Sequence, residues 1–300
     1  MKKSAILLLL FCFTAAGQNS KFKFRKYIED TPVSLTEKEL YFNRLDEINK
    51  INTIRISKNL QVAKQVKRYL RFKHLPETMG KAQFYFYFIS KKLKKYNLPD
   101  ELKYLAIIES DLNPKAISKV GAKGMWQFMP ATGVQYGLYE NKEVSLFFDP
   151  IASTDAACRY LIDLHKKFKD WELALAAYNC GPGRVSKAIR NSKEANFWKI
   201  KHLLPKETQT YVSSFLAVQY IFNFYSAHNI KPKNLIINPK EIQTWINKES
   251  ISKAVLYDTQ KRKTIFDFLN PHLLTSTLPI RTRFYYFKEF PEKPVVLYHE

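Results

Sequence analysis

At 300 residues the chain is long enough for one large domain, or for one medium domain with appendages. Its 49 Lys and Arg against 27 Asp and Glu give a formal charge of +22, which points to anionic partners. With only 8 glycines, no low-complexity linker and no internal repeat, a repeat or linker-dominated architecture is excluded. The lysines are dispersed, as in Lys91-Lys92, Lys94-Lys95 and Lys166-Lys167, which read as solvated helix faces. No nucleic-acid recognition motif accompanies them, so no nucleic-acid partner is expected.

In chain order, Met1-Lys2-Lys3, the apolar run Ala5 to Phe13, and then Ala15, Ala16 and Gly17 form the pattern of a secretory signal over residues 1–17. That run is too short to span a bilayer, and no later stretch is apolar enough. The mature chain is expected to be exported and soluble. Cys158 and Cys180 then remain, a pair that suits either one disulfide or two reduced, buried thiols.

Residues 18–75 read as a helical extension, in which Lys58 to Phe72 alternates basic residues with Leu60, Val62, Val66, Tyr69 and Leu70. The run Phe84 to Ile89 has the composition of a buried strand. Its continuation into Lys91-Lys92-Leu93-Lys94-Lys95 favours an aromatic helix. Leu98, Leu102, Leu105 and Ala106 recur at helical spacing, and Glu109 falls next on the same apolar stripe, before Asn113-Pro114 stops the helix. A carboxyl group there loses solvation, so its acid form persists to higher pH, as a general acid requires. The same Glu also fits a structural ion pair with a lysine.

Asp149-Pro150 predicts a capped helix to about Phe168, Asp170 and Gly181 bracket a helix over Trp171 to Asn179, and Pro182 begins another to Arg190. Pro205-Lys206-Glu207 opens a long apolar helix containing Tyr211, Phe215, Val218 and Phe222. A helical domain over 76–230 is therefore expected. Residues 231–300 carry Pro232, Pro239, Pro271, Pro279, Pro291 and Pro294, with strand-like runs Arg281 to Phe287 and Pro294 to Tyr298. They read as a small α+β or irregular extension.

Three motifs stand in order. Glu109-Ser110, Asn113-Pro114, Ser118, Gly121-Ala122 and Gly124-Met125-Trp126-Gln127-Phe128-Met129-Pro130 come first; Ala177-Tyr178-Asn179-Cys180-Gly181 and Glu207-Thr208-Gln209-Thr210-Tyr211-Val212 follow. Over about residues 76 to 228 they resemble the lytic transglycosylases of the lysozyme-like superfamily (glycoside hydrolase family 23). The likeness is closest to the membrane-bound D type, which shares Cys-Gly-Pro-Gly after Tyr-Asn. The resemblance implies a mainly α, lysozyme-like catalytic domain of the goose-type and soluble lytic transglycosylase kind. It implies cleavage of the β-1,4 bond between N-acetylmuramic acid and N-acetylglucosamine in peptidoglycan glycan strands, leaving a 1,6-anhydro end. It also implies a periplasmic or cell-envelope location, with peripheral association with wall or membrane surface. Glu109 would be the single catalytic residue, acid and then base. This agrees with the lack, apart from Glu207, of a second carboxylate marked as its partner, since Asp111 lies past the helix end.

For the remaining motif residues the expected roles are contacts with glycan. Ser118 either hydrogen-bonds the acid or an acetamido group or satisfies its own turn. Gln127 offers an amide to sugar hydroxyls. Met129 lines an apolar wall or fills the core, and Trp126 belongs to the core. Tyr178 can stack on a pyranose, Asn179 binds glycan or caps its helix, and Glu207 binds glycan or steadies its helix start. Tyr211, one turn after Glu207, can reach the catalytic acid. The six histidines lack metal-ligand spacing, and His165 and His202 read as surface residues, so no metal and no cofactor is expected. Met125 replaces the family's usual leucine, a volume-conserving change. A LysM repeat, frequent in the D type, has at most a degenerate trace around Phe268-Leu269-Asn270-Pro271. A hydrolytic muramidase on the same fold and an inactive glycan-binding scaffold are the rival readings.

Overall fold

The computed structural model describes residues 32–55, 57–233, 237–257, 259–287 and 297–299. The predicted signal over residues 1–17 lies outside the described residues. Eleven α-helices are described: α1 (Leu35–Ile51), α2 (Leu60–Tyr69), α3 (Leu75–Lys95), α4 (Leu105–Ser110), α5 (Pro130–Gln135), α6 (Pro150–Phe168), α7 (Trp171–Cys180), α8 (Pro182–Ser192), α9 (Phe197–Ile200), α10 (Lys206–Phe224) and α11 (Gln260–Leu269). The expected class, mainly α with a small α+β C-terminal region, is the one observed.

Helix α10 is the axis of the molecule. An unbroken series from Tyr211 to Ile221 is buried on every face of it, as in a helix surrounded by others. On one side α2 lies along it, contributing Val62, Ala63, Val66 and Tyr69, all fully buried. On another lies α7, which in turn packs on α6 and α8. The same core takes in Tyr41, Leu45 and Ile48 of α1, so residues on both sides of position 75 share one hydrophobic interior. The aromatic run of α3 is helical, as expected, and packs on α6.

Local chemistry explains where helices begin. Asp149 Oδ1 accepts from the backbone N–H groups of Ile151 and Ala152, with Pro150 in the first turn where no N–H is needed. Asp170 caps α7 by accepting from Leu173 N at 2.8 Å, and α7 runs to Cys180 before Gly181 turns at φ +87°. The first stretch after Pro99 is a 3-10 helix, Asp100–Tyr104, which passes directly into α4.

Helix α4 ends at Ser110, three residues short of the boundary that Asn113-Pro114 suggests. The cause is a left-handed pair, Asp111 (φ 57°) and Leu112 (φ 55°), which a non-glycine residue adopts only under restraint. The restraint comes from α3: Lys81 Nζ donates to the Asp111 carboxylate at 2.8 Å and also to its carbonyl, and the Thr78 hydroxyl donates to the same carboxylate.

C-terminal to α10, β1 (Ile242–Asn247) pairs antiparallel with β4 (Arg283–Phe287) and with β5 (Leu297–His299), in the order β4-β1-β5. A second, two-stranded ladder joins β2 (Ile251–Ser252) to β3 (Thr277–Leu278). Helix α11 packs on β4, and Leu256, Phe266, Leu278, Phe284 and Tyr286 form a separate small core. Among the described residues no helix is long and apolar enough to cross a membrane.

Candidate active site

Glu109 occupies the last full turn of α4, whose six residues are all buried, and is itself only 2% exposed. The Tyr211 hydroxyl, from the first half of α10, donates to Glu109 Oε1. This pair joins two elements 102 positions apart in sequence, through a buried hydrogen bond. The adjacent acid, Asp111, is turned away into its ion pair with Lys81.

The loop that follows is built on α4. Ser110 Oγ donates to Met125 O at 2.7 Å and accepts from Asn113 N at 3.1 Å, tying the helix end to the Gly124–Met129 segment. Isolated bridges pair Lys123 with both Ile117 and Phe128. Gly124 has φ +80°, and a Cβ there would lie 1.9 Å from Phe147 O, so the close approach that requires glycine is to the protein's own backbone. Trp126 is fully buried, as expected, with its indole N–H donating to Thr154 Oγ1 at 2.9 Å.

Gln127 is held in a left-handed conformation at φ 48° and is 7% exposed. Its Nε2 donates to Gly124 O at 2.8 Å and Ala116 O at 3.3 Å, which orients the amide. Its Oε1 is buried with no hydrogen-bond partner among the described residues. Met129 is 44% exposed at the start of α5, which places it on the surface and not in the core. Ser118 Oγ accepts from Ala122 N at 2.9 Å, so of its two expected contacts the one made is within its own turn.

On the opposite side, the Tyr178 hydroxyl donates to Trp126 O at 2.8 Å, and its ring packs against Tyr160 and Phe128. Asn179 does not cap α7, a task left to Gly181 N–H, which donates to Ala177 O. Its Oδ1 accepts from the Thr208 hydroxyl at 2.7 Å, and its Nδ2 donates to Glu207 Oε1 at 3.4 Å. It therefore joins the end of α7 to the start of α10, where Glu207 is exposed. His165 stacks on Trp171 at 4.1 Å, and His202 is exposed. No cluster of three His, Cys, Asp or Glu able to hold a metal occurs among the described residues.

Cys158 and Cys180 are both free thiols and both buried. Burial pushes Cys158 up to about 12 and raises Cys180 as well, so neither is a reactive thiolate near neutral pH.

Residues that sequence reasoning missed are those that hold the site from outside the motifs: Thr78 and Lys81 behind α4, and Thr154 behind Trp126. A buried Ser110 whose hydroxyl had to find a carbonyl was legible only as part of the Glu-Ser pair.

The transglycosylase SLT domain family matches residues 86–201, and the chain belongs to that family of lytic transglycosylases. Its relatives include the membrane-bound lytic murein transglycosylase D of Escherichia coli (strain K12), 35% identical over 227 residues, covering 73% of this chain and 49% of that protein. A putative tributyltin chloride resistance protein of Alteromonas sp. (strain M-1) is 41% identical over 115 residues, covering 38% of this chain and 56% of that one. The chain thus spans about half the length of the curated relatives it matches. Among solved structures, the 70 kDa soluble lytic transglycosylase of Escherichia coli aligns over 63% of this chain and 35% of its own, at 23% identity and a TM-score of 0.42.

Proposed function

We propose that the protein is a peptidoglycan lytic transglycosylase acting on the exported side of the inner membrane. The observation that carries this reading is the buried Glu109 carboxyl, bonded by the Tyr211 hydroxyl at the end of a wholly buried helix. Burial disfavours the charged carboxylate, which suits a group that must deliver a proton near neutrality.

In the proposed reaction Glu109 protonates the oxygen linking N-acetylmuramic acid to N-acetylglucosamine, and the C1–O bond breaks. The substrate's acetamido oxygen supports the positive charge at C1. The carboxylate then takes the proton of the muramic acid C6 hydroxyl as that oxygen bonds to C1, closing the 1,6-anhydro ring and regenerating the acid. A single carboxyl group suffices, because the nucleophile belongs to the sugar; an ordinary retaining enzyme would need a second one about 5 Å away. Of the other motif-region carboxylates, Asp111 is held in its ion pair with Lys81, and Glu207 stands exposed at the start of α10.

The remaining motif residues would bind the glycan. The Gln127 Oε1 suits a sugar hydroxyl or acetamido N–H. Met129 would offer an apolar face. Tyr178, Asn179 and Glu207 would form the far rim, and Ser118 would hold the loop in shape. Residues 1–17 would direct export, and the excess of Lys and Arg would favour anionic wall and membrane surfaces.

The test is digestion of purified sacculi followed by mass measurement of the muropeptides. Anhydro ends, lighter by one water than hydrolysed ones, are expected. Products carrying only reducing ends would replace the reading with a hydrolytic muramidase.

A further inference from the structure

The C-terminal region is joined to the segment after α5 at several points. Val144 forms a bridge with Leu273, Ser145 N donates to His272 O at 2.9 Å, and Leu274 N donates to Glu143 O at 2.7 Å. Its Tyr285 is buried in the main core, and Val144 is buried in the small C-terminal core, so the two interiors interlock. The Tyr285 hydroxyl lies 2.8 Å from both carboxylate oxygens of Asp149. Asn270 fixes the tyrosine's backbone by accepting from Tyr285 N and donating to Tyr285 O.

Asp149 is the residue from which two routes lead to the Gly124–Met129 loop. It caps α6, whose Thr154 receives the Trp126 indole N–H beside Gln127. It also ends the segment carrying Phe147, whose carbonyl lies against Gly124 and whose ring lies against Gly133 of α5. A third tie runs from Ser145 Oγ to Glu140 at 2.6 Å and from Glu140 to Lys123, which is bridged to Phe128.

We infer that residues 242–257 and 259–287 are a positioning element of the site, and that Tyr285, acting through Asp149, sets the loop bearing Gln127 and Met129. Tyr285 is a positioning residue, remote from the reacting atoms. The kinetic consequence rests on the proposed glycan cleavage; the structural one does not.

The test uses the full chain and Tyr285→Phe, which keeps the ring and removes only the hydroxyl. Asp149→Asn, which preserves a side chain that caps helices well, is the milder second variant. Amide hydrogen exchange should quicken in peptides covering 122–130 and stay unchanged in those covering 105–112. On soluble glycan strands KM should rise about three- to tenfold, the worth of one or two hydrogen bonds, with kcat and its pH profile little changed. Unaltered exchange at 122–130 with a lowered melting temperature would overturn the inference, leaving the region as packing only. Exchange quickened equally at 105–112 would overturn it too, as general loosening. If the unaltered protein cleaves no glycan, the proposed function fails, and the exchange comparison still decides this inference.

Discussion

The end of α4 and the start of α10 each present a glutamate in a family motif, and the two are opposites in surroundings. Glu109 is sealed inside a helix with no exposed residue and accepts from a buried tyrosine; Glu207 stands exposed in a first turn, where the Asn179 amide donates to it. The first carboxyl group is stripped of water, whereas the second is solvated and open to a ligand. The same side chain is thereby suited to giving up a proton in one place and to holding a ligand in the other.

The largest effect expected from breaking this contrast is that of Glu109→Gln. Loss of a general acid should lower turnover of sacculi by about 10²–10⁴-fold, with circular dichroism and glycan retention unchanged. Undiminished digestion would remove Glu109 from the mechanism. Next is Tyr211→Phe, expected to slow turnover about tenfold or more, as loss of a hydrogen bond to a charged group does. Because the tyrosine's donated bond favours the ionised carboxylate, its removal raises the pKa of Glu109. The alkaline limb of the pH–rate profile should therefore move to higher pH, and an unmoved limb would detach Tyr211 from the acid. Glu207→Gln should be milder, raising KM about two- to fivefold, a few tenths to one kcal/mol, with kcat nearly constant.

A third glutamate, Glu172, sharpens the comparison by being half-buried and outside the three motifs. Burial raises the pKa of Glu172 above its ordinary 4.5, although the Ser57 hydroxyl donates to its Oε1 at 2.7 Å. Between its unfolded and folded pKa values the native state holds a proton that the unfolded chain has released, so this group's contribution to stability falls as pH rises through that window. Glu172→Gln removes the penalty. A higher melting temperature at pH 7 is expected, shrinking to nothing below about pH 4.5, with sacculus digestion unaltered. A fall in digestion would mean that burial, and not position, marks the functional acid.

Much of this architecture is legible in the residues because the signals are local. Asp149-Pro150, Asp170 with Gly181, and Pro205 before Glu207 each carry their own helix boundary, and the periodicity that puts Glu109 on an apolar stripe is read within one helix. Tyr211 is reachable by the same logic, since a one-turn offset from Glu207 fixes the face it presents. What is hidden depends on partners far along the chain. The stop of α4 at Ser110 is imposed by Thr78 and Lys81, thirty-odd positions earlier, and overrides the nearby proline. Asn179 reads as a cap from its place at a helix end, but the Thr208 hydroxyl competes for its oxygen from another helix. The C-terminal strands are visible as aromatic and β-branched runs, yet nothing in their composition tells that Tyr285 reaches Asp149 across 136 positions.

The unbridged state of Cys158 and Cys180 has a practical corollary. Neither the helical interior nor the cleft depends on a sulfur–sulfur crosslink, so the chain can be made in a reducing cytosol, purified with dithiothreitol present, and handled for kinetics without an oxidative refolding step.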